Sequence, residues 1–316
     1  MKSIPVVAIN GGLGNQLFQW CYAHTLREDR RFRLHKIFES NDFTGQLHYQ
    51  LRNLEFKCHH INEENDNPVA IALRSSTFRL MNSLWRYPLF RRVAHYLGYL
   101  RESPKENDLQ NTEKFSNHAS RYAYGYFQSV DTVLKSAILE NELDTLLAPL
   151  AEKVLKSLGL ENNSYDVVHV RKYPIQNMRR VDIGNLSLEY YKGWIEKMDT
   201  TNLIALCKDL KEVESLLKIY PNVTVLDNNS LDPWESLAVM SKARKSLSSN
   251  STLSWWGAFM CYRNGGEAHL PSQWSYWNNV SAFKLHFDGC KIQESIWDTS
   301  AWFDPTCVNP KTGKMV

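Results

Sequence analysis

The segment Asp166–Val170, DVVHV, is followed by SLEYYKGWIEKM (Ser187–Met198), NLIALC (Asn202–Cys207), LKEVESLLKIY (Leu210–Tyr220), VTVL (Val223–Leu226) and PWESLAVMSKA (Pro233–Ala243). Short apolar runs of strand length alternate here with apolar residues at helical spacing. KSLSS (Lys245–Ser249), STLSWWGAFMCY (Ser251–Tyr262) and EAHLP (Glu267–Pro271) continue the alternation. Such a pattern predicts a parallel, Rossmann-like sheet with helices on its faces, in which ligands bind outside the carboxyl ends of the strands. The residues that follow each strand are therefore the first candidates for function.

Moving outward, Ile4–Ile9 is a β-branched run that enters the glycine-rich NGGLGNQ (Asn10–Gln16) and then an apolar-periodic segment near Leu17–Leu26. This reads as strand, tight loop, helix. Between Asn41 and Arg121 no clear periodicity orders the chain. From Asp131 to Ser157 the spacing predicts one or two helices closing a first domain, with ENNS (Glu161–Ser164) as a linker. At 316 residues the chain is larger than one core usually supports. Two domains are expected, 1–161 and 162–316, with a ligand cleft between them and roughly the last thirty residues packing back on the first.

Composition narrows the function classes. Hydrophobic residues at 43% and charged residues at 22% describe an ordinary globular protein, and a formal net charge of +3 falls short of a nucleic-acid binder. Six cysteines, with no C-x-x-C pair, suit a reducing compartment better than a disulfide framework or a zinc site. No signal peptide or membrane span is evident, so a cytoplasmic protein is expected. Arg74–Arg101 carries six arginines and no acid, interleaved with Phe78, Trp85, Tyr87, Phe90, Tyr96 and Tyr99. That composition suits peripheral contact with an anionic membrane surface or an extended acceptor, and equally a solvated basic helix with its aromatics in a core.

Three places carry candidate chemistry. Gly11, Gly12 and Gly14 lie between strand and helix, where bare amides and a helix start hold an anion. The spacing fits neither a Walker loop nor a dinucleotide fingerprint, and a purely structural turn is an even alternative. His169, Arg171 and Lys172 terminate DVVHV; a guanidinium there can grip a diphosphate through two hydrogen bonds. SSNSTLSWWGAFM (Ser248–Met260) supplies hydroxyls before a helix, with Asn250 or Ser251 as N-cap and Thr252 and Ser254 beside it. A simple capped helix with Trp255 and Trp256 in the core explains the same residues. Asp232, Pro233 and Glu235 form a capping-box pattern read as structural. The chain contains no Asp-x-Asp and no histidine pair at ligand spacing, so no metal site is expected. Charge on a leaving diphosphate then falls to Arg171, amides, hydroxyls and helix dipoles. As general base, His169 is a candidate by position, and Asp182 and Asp209 by chemistry.

With these segments in view, the chain resembles the bacterial alpha-1,2-fucosyltransferases, family 11 of the glycosyltransferases. GGLGNQLFQ (Gly11–Gln19), GYFQS (Gly125–Ser129), SLEYY (Ser187–Tyr191) and SNSTLSWWGA (Ser249–Ala258) match that family's motifs in order. Two segments depart from it. HVRKY keeps His169 and Arg171, but Lys172 replaces a second arginine and the Gly-Asp pair before Tyr173 is missing; Cys207, Lys208 and Asp209 keep only the last acid of Ser-Asp-Asp.

The resemblance implies an α/β, GT-B-like pair of Rossmann-type domains, the first on the acceptor side and the second binding the GDP-sugar. It also implies GDP-fucose as donor substrate, no cofactor or metal, inversion at the anomeric carbon, and an oligosaccharide or lipid-linked glycan as acceptor in surface polysaccharide synthesis. Arg171 and His169 are then the expected catalytic residues. Gly12, Gly14, Asn15, Gln16, Lys172, Asp209, Asn250, Ser251, Thr252 and Ser254 are expected around the nucleotide. A transferase for another GDP-6-deoxyhexose such as colitose, and a catalytically weak GDP- or glycan-binding homologue, are the alternatives.

Overall fold

The computed structural model describes residues 6–26, 33–36, 80, 84, 87–96, 99–101, 122–136, 139–173, 184–198, 202–274 and 282–299. The chain divides into two compact units, Met1–Leu139 and Glu140–Val316. The first contains β1 (Val6–Ile9), α1 (Leu13–Thr25), β2 (Arg33–Lys36), α2 (Pro88–Tyr96), β3 (Tyr99–Arg101), β4 (Tyr122–Tyr124) and α3 (Val130–Ser136). Its four strands form a parallel sheet in the order β2-β1-β4-β3. Val7, Ala8 and Ile9 are fully buried, as expected of a parallel strand covered on both faces. α1 packs against β1 and α3 and is buried on nearly every side, so its apolar spacing marks a central helix.

The second unit opens with α4 (Leu139–Leu158), followed by β5 (Asp166–His169), α5 (Leu188–Ile195), β6 (Leu203–Leu206), a 3₁₀ turn (Leu210–Glu212) and α6 (Glu214–Ile219). Then come β7 (Thr224–Leu226), α7 (Pro233–Ser241), β8 (Lys245–Leu247), α8 (Thr252–Arg263), β9 (Glu267–Pro271), a second 3₁₀ turn (Ala282–Leu285) and β10 (Lys291–Gln293). Every strand anticipated from the alternating pattern is present. All pairings are parallel, in the order β10-β9-β8-β5-β6-β7. Counted from β5, this is the 3-2-1-4-5-6 order of dinucleotide-binding sheets, with the direction of winding reversing between β5 and β8. The α/β class expected from sequence is the observed one, with a parallel sheet in each unit.

The boundary at Leu139/Glu140 differs from the expected 161/162. α4 is tied to α7 by Lys153 Nζ to Glu235 Oε1 and to the cap residue after α7 by Lys242 Nζ to Asp144 Oδ1, both at 2.8 Å. Its apolar stripe therefore belongs to the second core rather than closing the first. β10 extends the second sheet beside β9, and Leu186 bridges to Trp297 in the same unit; residues 300–316, the rest of the segment expected to return to the first domain, lie outside the described residues.

Packing around α8 fixes the carboxyl side of this sheet. Trp255 and Trp256 are fully buried, and Trp255 Nε1 donates to the Leu285 carbonyl at 2.7 Å. Gly257 is required where α8 meets α7, because a Cβ there would lie 2.5 Å from Met240 Sδ. At the opposite end of β5, buried Asp166 accepts two bonds from Arg244, Nε at 2.9 Å and Nη2 at 2.7 Å. Cys21, Cys207 and Cys261 are free and buried, and Cys290 is free and partly exposed. Among the described residues, no helix is long and apolar enough to cross a membrane.

Candidate active site

In the first unit, the carboxyl end of β1 runs into a turn braced by glutamines. Gly11 has φ +77°, and a Cβ on it would meet Asn15 Nδ2 at 2.6 Å, so only glycine suits the position. Gln16 Nε2 donates to the Gly11 carbonyl at 2.8 Å, and Gln19 Oε1 accepts from Asn10 N at 3.0 Å. Both glutamine side chains are fully buried. The same residues reach the second motif: Gln19 Nε2 donates to the Gly125 carbonyl at 2.8 Å, and Gln128 Nε2 to Asn15 Oδ1 at 3.0 Å. Phe127, between these contacts, is held at φ 53° with its ring stacked on Tyr22. GGLGNQLFQ and GYFQS thus form one rigid corner. Gly12 is the N-cap of α1 and provides no side-chain cap, which leaves first-turn amides to other partners. Gly14 lies in the first turn of α1 and is buried, and Gln16 is a brace.

In the second unit, the segments after β5 and β8 meet at the reversal of the sheet. His169 ends β5, is buried, and its Nδ1 lies 3.0 Å from Ser249 Oγ. Burial, together with the nearby Arg171 charge, pushes its pKa down to about 3, so the ring is neutral at ordinary pH. Ser249 belongs to a closed hydroxyl cluster. Ser254 Oγ lies 2.9 Å from Ser248 Oγ and 3.2 Å from Ser249 Oγ, and reaches the Ser251 carbonyl at 2.9 Å. Ser254 is fully buried, so it secures the turn from beneath instead of offering a hydroxyl to a ligand. Tyr190, from SLEYY, donates to the Ser248 carbonyl at 2.7 Å.

Above this floor, Ser251 is the N-cap of α8, in extended conformation and without a side-chain cap bond. α5 and α7, by contrast, are capped by the side chains of Ser187 and Asp232, the latter in the full capping box with Glu235 expected from sequence. Asn250 is buried, and its Nδ2 donates to the Gly184 carbonyl at 2.8 Å. Thr252 starts the helix and is partly exposed. A helix start left uncapped at the reversal of a parallel sheet concentrates partial positive charge where an anion can reach it.

Arg171 supplies the full charge. Its side chain keeps 23% of its exposure, with Nη1 3.9 Å from Glu212 Oε1 and Cζ 5.3 Å from the Tyr173 ring centroid. Tyr173 is anchored at both ends. Its N–H donates to Asn185 Oδ1 at 2.7 Å, Asn185 Nδ2 donates to its carbonyl at 3.2 Å, and its hydroxyl donates to the Asn250 carbonyl at 3.2 Å. Glu212 Oε2 accepts from Lys208 N at 3.0 Å, and burial raises the Glu212 pKa despite the neighbouring cations. Lys172 is partly exposed beside Arg171.

Asp209 is exposed, and its Oδ1 accepts from Lys211 N at 3.0 Å as the cap of the 3₁₀ turn. This gives it a structural task of its own. Asp182 lies outside the described residues. Glu212, Asn185 and Tyr173 complete the site without having been singled out from sequence; Tyr173 stands inside a motif, whereas nothing local marks Glu212. Among the described residues, no group of three His, Cys, Asp or Glu side chains is arranged to hold a metal ion.

The model of glycosyl transferase family 11 matches residues 99–273, spanning β3 through the end of β9. The O-antigen biosynthesis glycosyltransferase WbnK of Escherichia coli is 24% identical over 296 residues, covering 88% of this chain and 97% of WbnK. Among solved structures, the fucosyltransferase NodZ from Bradyrhizobium aligns with a TM-score of 0.45 at 9% identity, covering 82% of this chain and 94% of NodZ. POFUT1 in complex with GDP aligns with a TM-score of 0.41 at 13% identity, covering 82% and 94%.

Proposed function

The chain belongs to glycosyl transferase family 11, and from that premise we propose that it moves L-fucose from GDP-fucose to a galactoside hydroxyl, forming an alpha-1,2 linkage with inversion and without a metal. Similarity to WbnK over nearly the whole chain supports a place in the synthesis of bacterial surface polysaccharide. The observation that carries the donor assignment is the convergence of Arg171 with the uncapped start of α8 at the β5/β8 reversal.

In this reading the acceptor oxygen attacks the anomeric carbon as the bond from that carbon to the diphosphate breaks, and GDP departs with the bonding electrons. Negative charge grows on the diphosphate, where pre-oriented donors contribute most. Arg171 meets it with two parallel N–H groups, and the first amides of α8, with Ser251 and Thr252, add fixed dipoles.

His169 is assigned a positioning role: a buried neutral ring bonded to Ser249 holds the turn and is a poor proton acceptor. The proton of the acceptor hydroxyl leaves to a base outside this cluster or to solvent.

The test is a donor screen of GDP-fucose and GDP-colitose against β-galactosides with chelator present, with product linkage read by NMR. Transfer of fucose in an alpha-1,2 linkage, undiminished by chelator, is expected. Arg171→Ala should lower the rate by roughly 10²–10³. Near-normal turnover of that variant would remove Arg171 from the mechanism.

A further inference from the structure

We infer that α2 docks the first unit onto an anionic lipid surface. The helix turns its apolar stripe outward. Leu89, Val93 and Tyr96, spaced i, i+4, i+7, lie on one side and are 75%, 47% and 91% exposed. Tyr87, just before the helix, is 49% exposed. Packing against β3 occupies the other side, where Phe90 is only partly exposed. A helix that pairs with its own unit through one face and exposes leucine, valine and tyrosine on the other is built to meet an apolar phase. Tyrosines at the rim suit headgroup depth.

Charge selects the partner. Arg92, three residues after Leu89 and four before Tyr96, is exposed beside that stripe, and the stretch Arg74–Arg101 holds six arginines and no acid in its sequence. Two copies pairing across a two-fold axis through this face would set arginines against arginines. A bilayer with anionic headgroups offers both complements at once: negative charge for the guanidinium groups and a hydrocarbon boundary for Leu89, Val93 and Tyr96. The inference stands independently of the donor assignment, since no residue of α2 belongs to the candidate site.

The experiment is co-sedimentation of the full chain with vesicles of phosphatidylcholine alone and of phosphatidylcholine mixed with phosphatidylglycerol, at low and high salt. Binding should require phosphatidylglycerol and weaken with salt. An arginine near such a surface is worth about fivefold in partitioning, so Arg92→Gln should weaken binding about fivefold. Leu89→Ser with Val93→Ser leaves the charge unchanged and should weaken binding about tenfold. These positions are exposed, and transfer to a soluble acceptor should be unaffected in both variants. On the unmodified chain, vesicles should slow amide hydrogen exchange across Pro88–Tyr96. Equal binding to both vesicle types, no binding, indifference to Arg92→Gln or to Leu89→Ser with Val93→Ser, or exchange slowed only elsewhere would overturn the proposal. So would a concentration-dependent dimer that Leu89→Ser with Val93→Ser dissolves, which would assign the face to a second copy of the chain.

Discussion

Replacing Glu212 by Gln should weaken catalysis while leaving the fold as stable as before, or more so. Glu212 Oε1 lies 3.9 Å from Arg171 Nη1, with the two side chains 10% and 23% exposed. At an effective dielectric of about 20, the gross attraction at that separation is about 4 kcal/mol. Most of it is offset, because desolvating the carboxylate outweighs its neighbours: burial comes first among the causes that raise the Glu212 pKa. A group whose folded pKa is raised holds its proton more tightly in the native state. Its ionisation therefore costs stability as pH rises through the folded value, and nothing once pH falls below the unfolded value near 4.5. The amide should remove that cost at pH 7 while keeping an acceptor for Lys208 N.

What Glu212→Gln removes is the charge that orients the guanidinium. If about a third of the gross attraction acts in orientation, kcat/KM should fall about tenfold. The assay is a cycle of Glu212→Gln, Arg171→Ala and the pair, measured with GDP-fucose, alongside thermal melts at pH 7 and pH 4. Because Glu212 acts through Arg171, the double variant should be no slower than Arg171→Ala alone. A tenfold loss that persists in the Arg171→Ala background, or a melting temperature at pH 7 several degrees below the unmodified protein, would refute the reasoning.

Other positions test separate parts of the structure. His169 is held neutral by burial with its pKa lowered to about 3, against an ordinary value of 6.5. The stability this provides is complete above pH 6.5 and is lost as pH falls toward 3, with a slope of up to about 1.4 kcal/mol per pH unit. Urea titrations from pH 7 to pH 4 should show that decline, and His169→Asn, which keeps a group facing Ser249, should flatten it. Gly11→Ala should destabilise the first unit by about 2 kcal/mol, from a φ of +77° and a Cβ 2.6 Å from Asn15 Nδ2, seen as faster hydrogen exchange in α1. Asp166→Asn leaves Arg244 without its two-point partner; since Arg244 is 40% exposed, the cost should be about 2 kcal/mol in denaturant melts, with kcat unchanged.

The second unit was legible in sequence because parallel strands buried on both faces appear as uninterrupted apolar runs, as in VVHV and LIAL, with amphipathic helices between them. That alternation also fixed where ligand-binding residues lie, at strand ends, and the His169/Ser249 contact is where the sheet order puts it. Other features have no local signature. The stripe of α4 says that it packs, not which core receives it; two lysine pairs to α7 and its end settle that. A run of hydroxyls before a helix looks alike whether the hydroxyls face a ligand or one another, and Ser254 faces its neighbours. Glu212 follows β6, and only the lateral pairing of β6 with β5 brings it to Arg171. β10, KIQ, is an edge strand with Lys291 and Ile292 exposed and has no apolar run to mark it.

The site divides its polar groups by charge, and the division follows from what each can bear. His169, Ser248, Ser249, Ser254 and Tyr190 are uncharged, lie deep, and bond to one another or to the Ser248, Ser249 and Ser251 carbonyls, so their burial leaves few bonds unmade. Arg171 and Glu212 keep partial access to solvent and meet only at 3.9 Å, a separation at which an arriving diphosphate can compete for the guanidinium. A closer, fully buried pair would hold the cation more firmly and release it less readily. Protonation of His169 would add a second charge to the floor and break this separation, which is why its burial is part of the same arrangement as the looseness of the pair above it.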